Sequence, residues 1–476
     1  MISGLWKGNK NNRIIMYERK EKGGNCYYPS FFYTFLDIPD DPQYLARYAL
    51  DERTEAYFLH EYIHNLQDLT TPSGYARIET IVDQVKWAVE EAGKRRNLRI
   101  PLDPSSTWLH SMKPNAHCLR IAKGEMKKKT NLGADVEFGS PLELVQADEL
   151  TPIKNGKQIR VKAITTFRFE DKNHIKYEYS IGELAISESM AYLIENYIYP
   201  GALNDPPDFP YKVVKNVVGW KCQRADNDLI LVAICDVCLM YAFPGIAFYN
   251  LIQYLESYEG EITPEFIYIY GLGGDMCHKM GVNFWQEQLD KTNKMVIDQV
   301  RDYFNHKYWN NTQWALTTSL ISAYSLRKDK PNFIIDIMKG GRICSNRAFQ
   351  ETLSLIGCMA IHTAQNQLFY FPPKNASGIE IDPDWFVSLF QLYVILFSKE
   401  AIEVVGGDKF LRWRCCLKEW CQDSFLRKGL PDITSTSRNC IQSPWLNVTN
   451  ELMAQCSFGR IWAAYEFRRV RLKPGY

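Results

Sequence analysis

Between residues 51 and 69 the apolar positions Leu59, Tyr62, Ile63 and Leu66 recur at i, i+3, i+4 and i+7. That period predicts an amphipathic helix, with His60, Glu61, His64, Gln67 and Asp68 on the side opposite the apolar stripe. The run "TTPSG" (70–74) stops it, because Pro72 and Gly74 punctuate. A second helix is predicted over 76–96, with Ile78, Ile81, Val82, Val85 and Val89 as its apolar positions. Ahead of both, residues 12–37 read as two short extended segments around the turn-forming "EKGGN". Between about 130 and 180 the texture changes. There "QIRVKAITTFRFED" and "HIKYEYS" alternate on either side of "DKN", which predicts a β-hairpin.

Helical period returns over 181–199, and the loop "PGALNDPPDFP" (200–210) marks a boundary. Beyond it nearly everything reads as helix, including 283–304, 385–405 and 447–467. The expected fold is therefore α+β and predominantly α-helical. Residues 1–200 would hold the functional helices and a β-hairpin insertion at about 130–180. Residues 201–476 would form a mainly helical region that completes the core or binds substrate or a regulator.

One stretch approaches membrane length, "LILVAICDVCLMYAFPGIAFY" (229–249), but Asp236 sits at its middle and Pro244-Gly245 breaks it. A charge at mid-bilayer is expensive, so two buried helices are expected and no membrane partner. The balance of 56 basic and 55 acidic side chains gives a net charge of +1, which argues against a dedicated nucleic-acid binder. Local basic runs at 93–99, 127–129 and 468–473 read as solvated faces. Thirteen scattered cysteines lack the even spacing of a secreted disulfide framework and predict reduced thiols in a cytosol. The single C-x-x-C, Cys235 and Cys238, has no second pair with which to close a zinc site and reads as buried thiols. The N-terminal "MISGLWKGNKNNR" has no apolar region of the secretory kind, in keeping with a cytoplasmic expectation. The glycines of 271–281 lack the G-K-[ST] of a phosphate-binding loop, so ATP dependence is not expected.

The chemistry lies on the polar side of the first helix. In "HEYIH", His60 and His64 stand one turn apart, where both imidazoles can reach one zinc ion, and Glu61 sits beside that ion without binding it. Zinc lowers the pKa of a coordinated water from about 16 toward about 7, and the carboxylate can then take its proton. With eight histidines in the chain, such a pattern arises by chance roughly one time in a hundred. A catalytic zinc needs a third protein ligand and one open position. No histidine follows His64 at the short distance of an extended motif, since the next residues are "NLQDLTTP". The helix holding "ISESMAYLIE" offers Glu188 instead. That helix is apolar nearly all round, and a buried carboxylate needs a partner. Glu183, a distant histidine or another acid remain alternatives.

The pairing of His60-Glu61-Tyr62-Ile63-His64 with the downstream Glu188-Ser189-Met190-Ala191 resembles the gluzincin group of zinc metallopeptidases, in which a second helix supplies an E-x-x-A glutamate. The resemblance implies a zincin-like core in which His60, His64 and Glu188 bind zinc and Glu61 is the general base. Two departures stand out. The interval between His64 and Glu188 is longer than in the compact members, and the acid that often follows the ligand glutamate by a turn is replaced by Tyr192. Glu195 or Asp68 would then orient a histidine. His174, Tyr177 and Tyr179 precede the second helix and could donate to an oxyanion, though a structural role fits each of them better.

The expected function is zinc-dependent peptide-bond hydrolysis in the cytosol, on a protein or peptide held by strand addition beside the metal. A free cytosolic protease endangers its host, so a narrow substrate, a regulatory protein partner or conditional activation, as in defence effectors, is expected. Two other readings remain open: a zincin-fold binding or assembly protein without turnover, and a zinc amidase or deacylase acting on a non-peptide amide.

Overall fold

The computed structural model describes residues 25–38, 50–95, 97–102, 136–152, 158–304, 308–398 and 456–465, with short pieces at 403–405, 410–412 and 470–474 and a few single positions. The described chain is a mixed α+β structure in which helices predominate.

Helix α1 (Glu52–Thr70) starts where Asp51 accepts hydrogen bonds from the Arg53 and Thr54 amides, satisfying two of the donors that a helix start leaves without partners. It ends at Thr70, as the pattern predicts, but "TTPSG" is not a loop. Thr71 caps the next helix, α2 (Pro72–Lys94), with Pro72 at its first position, where a missing N–H costs nothing. Gly74 permits this tight corner. A Cβ there would sit 2.4 Å from the Gln67 carbonyl oxygen and 2.5 Å from the Asp68 Cα.

The extended segments near the start are β1 (Cys26–Tyr28) and β2 (Tyr33–Leu36), paired antiparallel. They turn through "PSFF", where Ser30 and Phe32 take positive φ. The segment expected ahead of "EKGGN", and that motif up to Gly24, lie outside the described residues. β3 (Asn97–Ile100) follows α2. The expected hairpin is present as β5 (Gln158–Asp171) and β6 (Lys176–Ile181), but β4 (Phe138–Pro152) pairs with β5 and makes a three-stranded antiparallel meander. β6 leads directly into α3 (Glu183–Ile198).

After the loop at 200–210 come α4 (Asp208–Tyr211), α5 (Val213–Lys221), α6 (Asp228–Leu239) and α7 (Pro244–Ser257). The apolar run at 229–249 is thus split at Pro244 into two buried helices, and no described helix is long and apolar enough to cross a membrane. Asp236 is fully buried against Arg327, which donates from both Nη1 and Nη2 at 2.6 and 2.8 Å, while Tyr268 adds its hydroxyl at 2.5 Å. Then follow α8 (Pro264–Gly271), α9 (Gly274–Lys279), α10 (Trp285–Tyr303), α11 (Asn310–Asp329), α12 (Phe333–Lys339) and α13 (Arg347–Ile356).

Two strands interrupt this helical region where only helix is expected. β7 (Cys358–Thr363) is buried along its whole length and lies parallel to β2, and β8 (Leu368–Phe371) closes a sheet of order β1-β2-β7-β8. The predicted helix over 385–405 ends early: α14 (Pro383–Phe397) stops before β9 (Glu403–Val405), which pairs with β10 (Phe410–Arg412). Of the helix predicted over 447–467, α15 (Ser457–Ala464) is described and 447–455 lie outside the described residues. β11 (Arg471–Pro474) returns to pair parallel with β3. One contiguous cluster of buried apolar side chains runs from Tyr28 to Val470 and includes residues of α1, α3, α6, α11 and α14. Cys235 and Cys238 are buried free thiols, as expected.

Candidate metal centre

The apolar stripe of α1 is buried as predicted, with Leu59, Tyr62, Ile63 and Leu66 all in the core. The polar side is not a solvated face. Glu61, Asn65, Gln67 and Asp68 are buried as well, because β1 and α3 pack over them. A helix polar on one side and buried on both must find partners for every polar group, and those partners define the site.

His60 and His64 both turn their Nε2 atoms toward one oxygen of Glu188 on α3, at 3.7 and 3.5 Å from Oε2. Their rings are 5.1 Å apart, centre to centre. One ligand atom from each of His60, His64 and Glu188 lies within 4.8 Å of the others. The site is not sealed: the two imidazoles are 12% exposed and the Glu188 carboxylate arm 22%. Glu183, the alternative third ligand, is elsewhere, paired with Arg77 at the start of α3.

Of the two outer ring nitrogens, His64 Nδ1 is hydrogen-bonded, whereas the buried His60 Nδ1 has only an acid nearby. His60 Nδ1 lies 3.4 Å from Glu195 Oε2, one of the two acids expected to orient a histidine. His64 Nδ1 is 2.8 Å from Gln67 Oε1, and Gln67 Nε2 donates to the Ser187 carbonyl at 3.0 Å, so α3 itself holds this partner in place. Asp68, the other acid proposed for that task, does not reach the histidines. It accepts from Tyr27, Ser30 and Arg77 instead.

The charges inside this cluster are strongly coupled. In the metal-free chain burial works against a charged His60, but the nearby Glu188 and Glu195 carboxylates outweigh it and hold its pKa up at about 10. His64 is raised in the same way, with Glu188 overcoming burial. Burial alone would raise Glu188, yet His64 and His60 drive it far below the usual carboxylate range. Two imidazoles and a carboxylate directed at one point, each of them partly exposed, could hold a metal ion. The donor types fit zinc and exclude none of the other imidazole-binding metals.

Glu61 is buried beside the histidines and is anchored by the Tyr27 N–H of β1, which donates to Oε2 at 2.6 Å. Its charge adds to those that raise His60 and His64. The expected oxyanion donors separate. His174 stands at the β5–β6 turn with its side chain 88% exposed, and Tyr177 is bonded to Asp171 inside the meander. Tyr179 is buried near Glu188, which together with burial raises its hydroxyl.

Tyr211, which sequence reasoning missed, faces the centre more directly. Its ring lies 6.2 Å from that of His60, and Glu188, then burial, Glu61 and Glu195, hold its hydroxyl well above the ordinary tyrosine range. Its placement follows from its neighbours. Phe209 stacks on Phe169 and packs at a tilt against Tyr179 of the meander, and Ser189 of α3 is bonded to the Pro210 carbonyl and the Val214 amide. Nothing in "FPY" marks Tyr211 in the sequence, since its role depends on the meander against which Phe209 packs.

The chain matches no family model, no curated protein and no solved structure. Its functional reading therefore rests on the site.

Proposed function

We propose that the chain is a zinc-dependent peptidase of the gluzincin kind, with a zincin-like core formed by α1, α3 and the β1-β2-β7-β8 sheet. The observation that carries this reading is the convergence of His60 Nε2 and His64 Nε2 on Glu188, with His64 Nδ1 held by Gln67 and Glu195 lying 3.4 Å from His60 Nδ1. His60, His64 and Glu188 would hold the ion. When bound, zinc acts as a Lewis acid toward a carbonyl and brings the pKa of a water from about 16 to about 7.

The chain's own groups then divide the work. Oε2 of Glu61 is engaged by the Tyr27 N–H, so Oε1 takes the proton as water oxygen bonds to the scissile carbonyl carbon. The same proton passes to the leaving nitrogen as the carbon–nitrogen bond breaks, leaving an acid and an amine with Glu61 again ionised. Tyr211, kept protonated by the surrounding carboxylates, donates from its hydroxyl to the oxygen that gains charge. Gln67 orients His64 through its Nδ1, and Glu195, 3.4 Å from His60 Nδ1, is the group placed to do the same for His60.

A second reading, a zinc amidase or deacylase on a non-peptide amide, is favoured by one detail. β1 is one of the two edge strands of its sheet among the described residues and only three residues long, and its Tyr27 N–H is already bonded to Glu61. That donor is unavailable to a peptide added along the edge. Hydrolysis of a mixed-peptide library and of a panel of acylated amines by the zinc-loaded protein, each with and without a chelator, separates the two readings. Glu61→Gln is expected to keep the metal and lower kcat by about 10²- to 10⁴-fold. A Glu61→Gln protein as active as wild type would contradict the role given to Glu61 in both, and a zinc-loaded wild type that hydrolyses neither library nor panel would favour a zincin-fold binding protein.

A further inference from the structure

Asp68 is fully buried, is paired with Arg77, and is bonded to neither histidine. Its Oδ2 accepts from the Tyr27 hydroxyl at 2.9 Å and from the Ser30 amide at 2.6 Å, and its Oδ1 accepts from Arg77 Nε at 2.9 Å and from Arg77 Nη2. The Tyr27 hydroxyl also lies 3.5 Å from Asn65 Oδ1. Arg77 continues to Glu183, the first residue of α3. One carboxylate thus ties together the three elements that supply the site: β1, whose Tyr27 N–H holds Glu61; α1, which carries His60, Glu61 and His64; and, through Arg77, α3, which carries Glu188.

Gly74 is the independent sign that this junction is built. The α2 backbone approaches α1 so closely that any Cβ at this position would collide with Gln67 and Asp68, and that approach brings Arg77, one turn further along, onto Asp68.

We propose that Asp68 is a positioning residue for the base. By gripping the Tyr27 side chain and the Ser30 amide it fixes β1 against α1, so that the Tyr27 N–H stays on Glu61 Oε2 and only Oε1 is left to accept a proton. The inference rests on the hydrolase reading and adds to it the link from Asp68 through Tyr27 to Glu61.

Two variants test it in the zinc-loaded full chain. Tyr27→Phe keeps the ring and the backbone N–H and removes only the hydroxyl that Asp68 holds, while Asp68→Asn keeps the shape and removes the charge. Each is expected to retain the wild-type zinc content and KM while kcat falls about ten- to a hundredfold, the loss that a small misplacement of a reacting group brings. Loss of structural support alone would instead lower zinc content and thermal midpoint together. A second readout needs no turnover. In protein labelled with nitrogen-15 tyrosine, the Tyr27 amide, identified by its disappearance in Tyr27→Phe, should stand far downfield and move upfield in both Glu61→Gln and Asp68→Asn. An amide that Asp68→Asn leaves unmoved overturns the positioning role, whatever the wild type hydrolyses. A wild-type protein that binds zinc and hydrolyses no amide overturns the hydrolase reading, whatever the amide does.

Discussion

His60 and His64 in the metal-free chain are surrounded by Glu188, Glu195 and Glu61, and the raised pKa of His60, about 10 against an ordinary 6.5, measures how strongly those carboxylates favour a cation there. A metal ion is such a cation, but it binds the neutral imidazole and must displace the protons. The sign of the pH dependence follows. Below pH 6.5 the charged His60 contributes its full stabilisation to the metal-free fold, and that contribution is lost as pH rises toward 10. Zinc affinity moves the opposite way, gaining about a factor of ten per pH unit for each proton displaced. The thermal midpoints of the zinc-loaded and metal-free proteins should therefore draw apart between pH 6 and pH 9. Midpoints that keep a constant separation would show that no proton is exchanged for the metal. Gln67 sharpens the same point, because it connects His64 Nδ1 to the Ser187 carbonyl. Gln67→Ala should weaken zinc binding about 10- to 100-fold in a competition titration with a chromophoric chelator, and leave the metal bound at saturation.

At the scale of single elements, α1 explains what the sequence could reveal. Its period, its Asp51 start and the spacing of His60, Glu61 and His64 are local features, and a local reading recovers them. Glu188 could be reached because a carboxylate in an apolar helix demands a partner, and the partner proves to be the histidine pair. The parts that escaped depend on distant chain. "CMAIHT" is six residues with no alternation, and only its parallel pairing with β2 makes it a buried strand. Pro72 reads as a stop and serves as the first residue of α2, since helix end and helix start call for the same residue types.

Asp236 likewise reads as an obstacle to a membrane span, and its counterpart Arg327 lies far along the chain on α11. Arg327 also donates to the Thr70 carbonyl at 3.2 Å and its hydroxyl at 3.0 Å, so it holds the end of α1. Arg327→Met should destabilise the protein by about 3–5 kcal/mol in denaturant unfolding, because Asp236 is left charged and buried. Adding Asp236→Asn should recover most of that loss. A double variant no more stable than the single one would show that the Thr70 contacts, and not the ion pair, carry the effect.

Over the whole molecule, the features combine into a division of labour between a helical mass and a small sheet. The cluster of buried apolar side chains reaches from the β1–β2 turn to the last described helix, so the helices after residue 200 support α1 and α3 directly. α6 packs on α3, and α11 packs on α1. Such a frame fixes two helices from distant parts of the sequence at the separation at which three ligand atoms meet, and metal ligands gain affinity from being held in place before the ion arrives. The central claim is that this meeting point binds one zinc ion, and elemental analysis of the protein after stripping, zinc reconstitution and desalting tests it most directly. The account predicts one zinc per chain in the wild type and none retained in His60→Ala, His64→Ala or Glu188→Ala, with wild-type content in Glu61→Gln. A wild-type chain that retains no zinc, or alanine variants that retain as much as wild type, would contradict it.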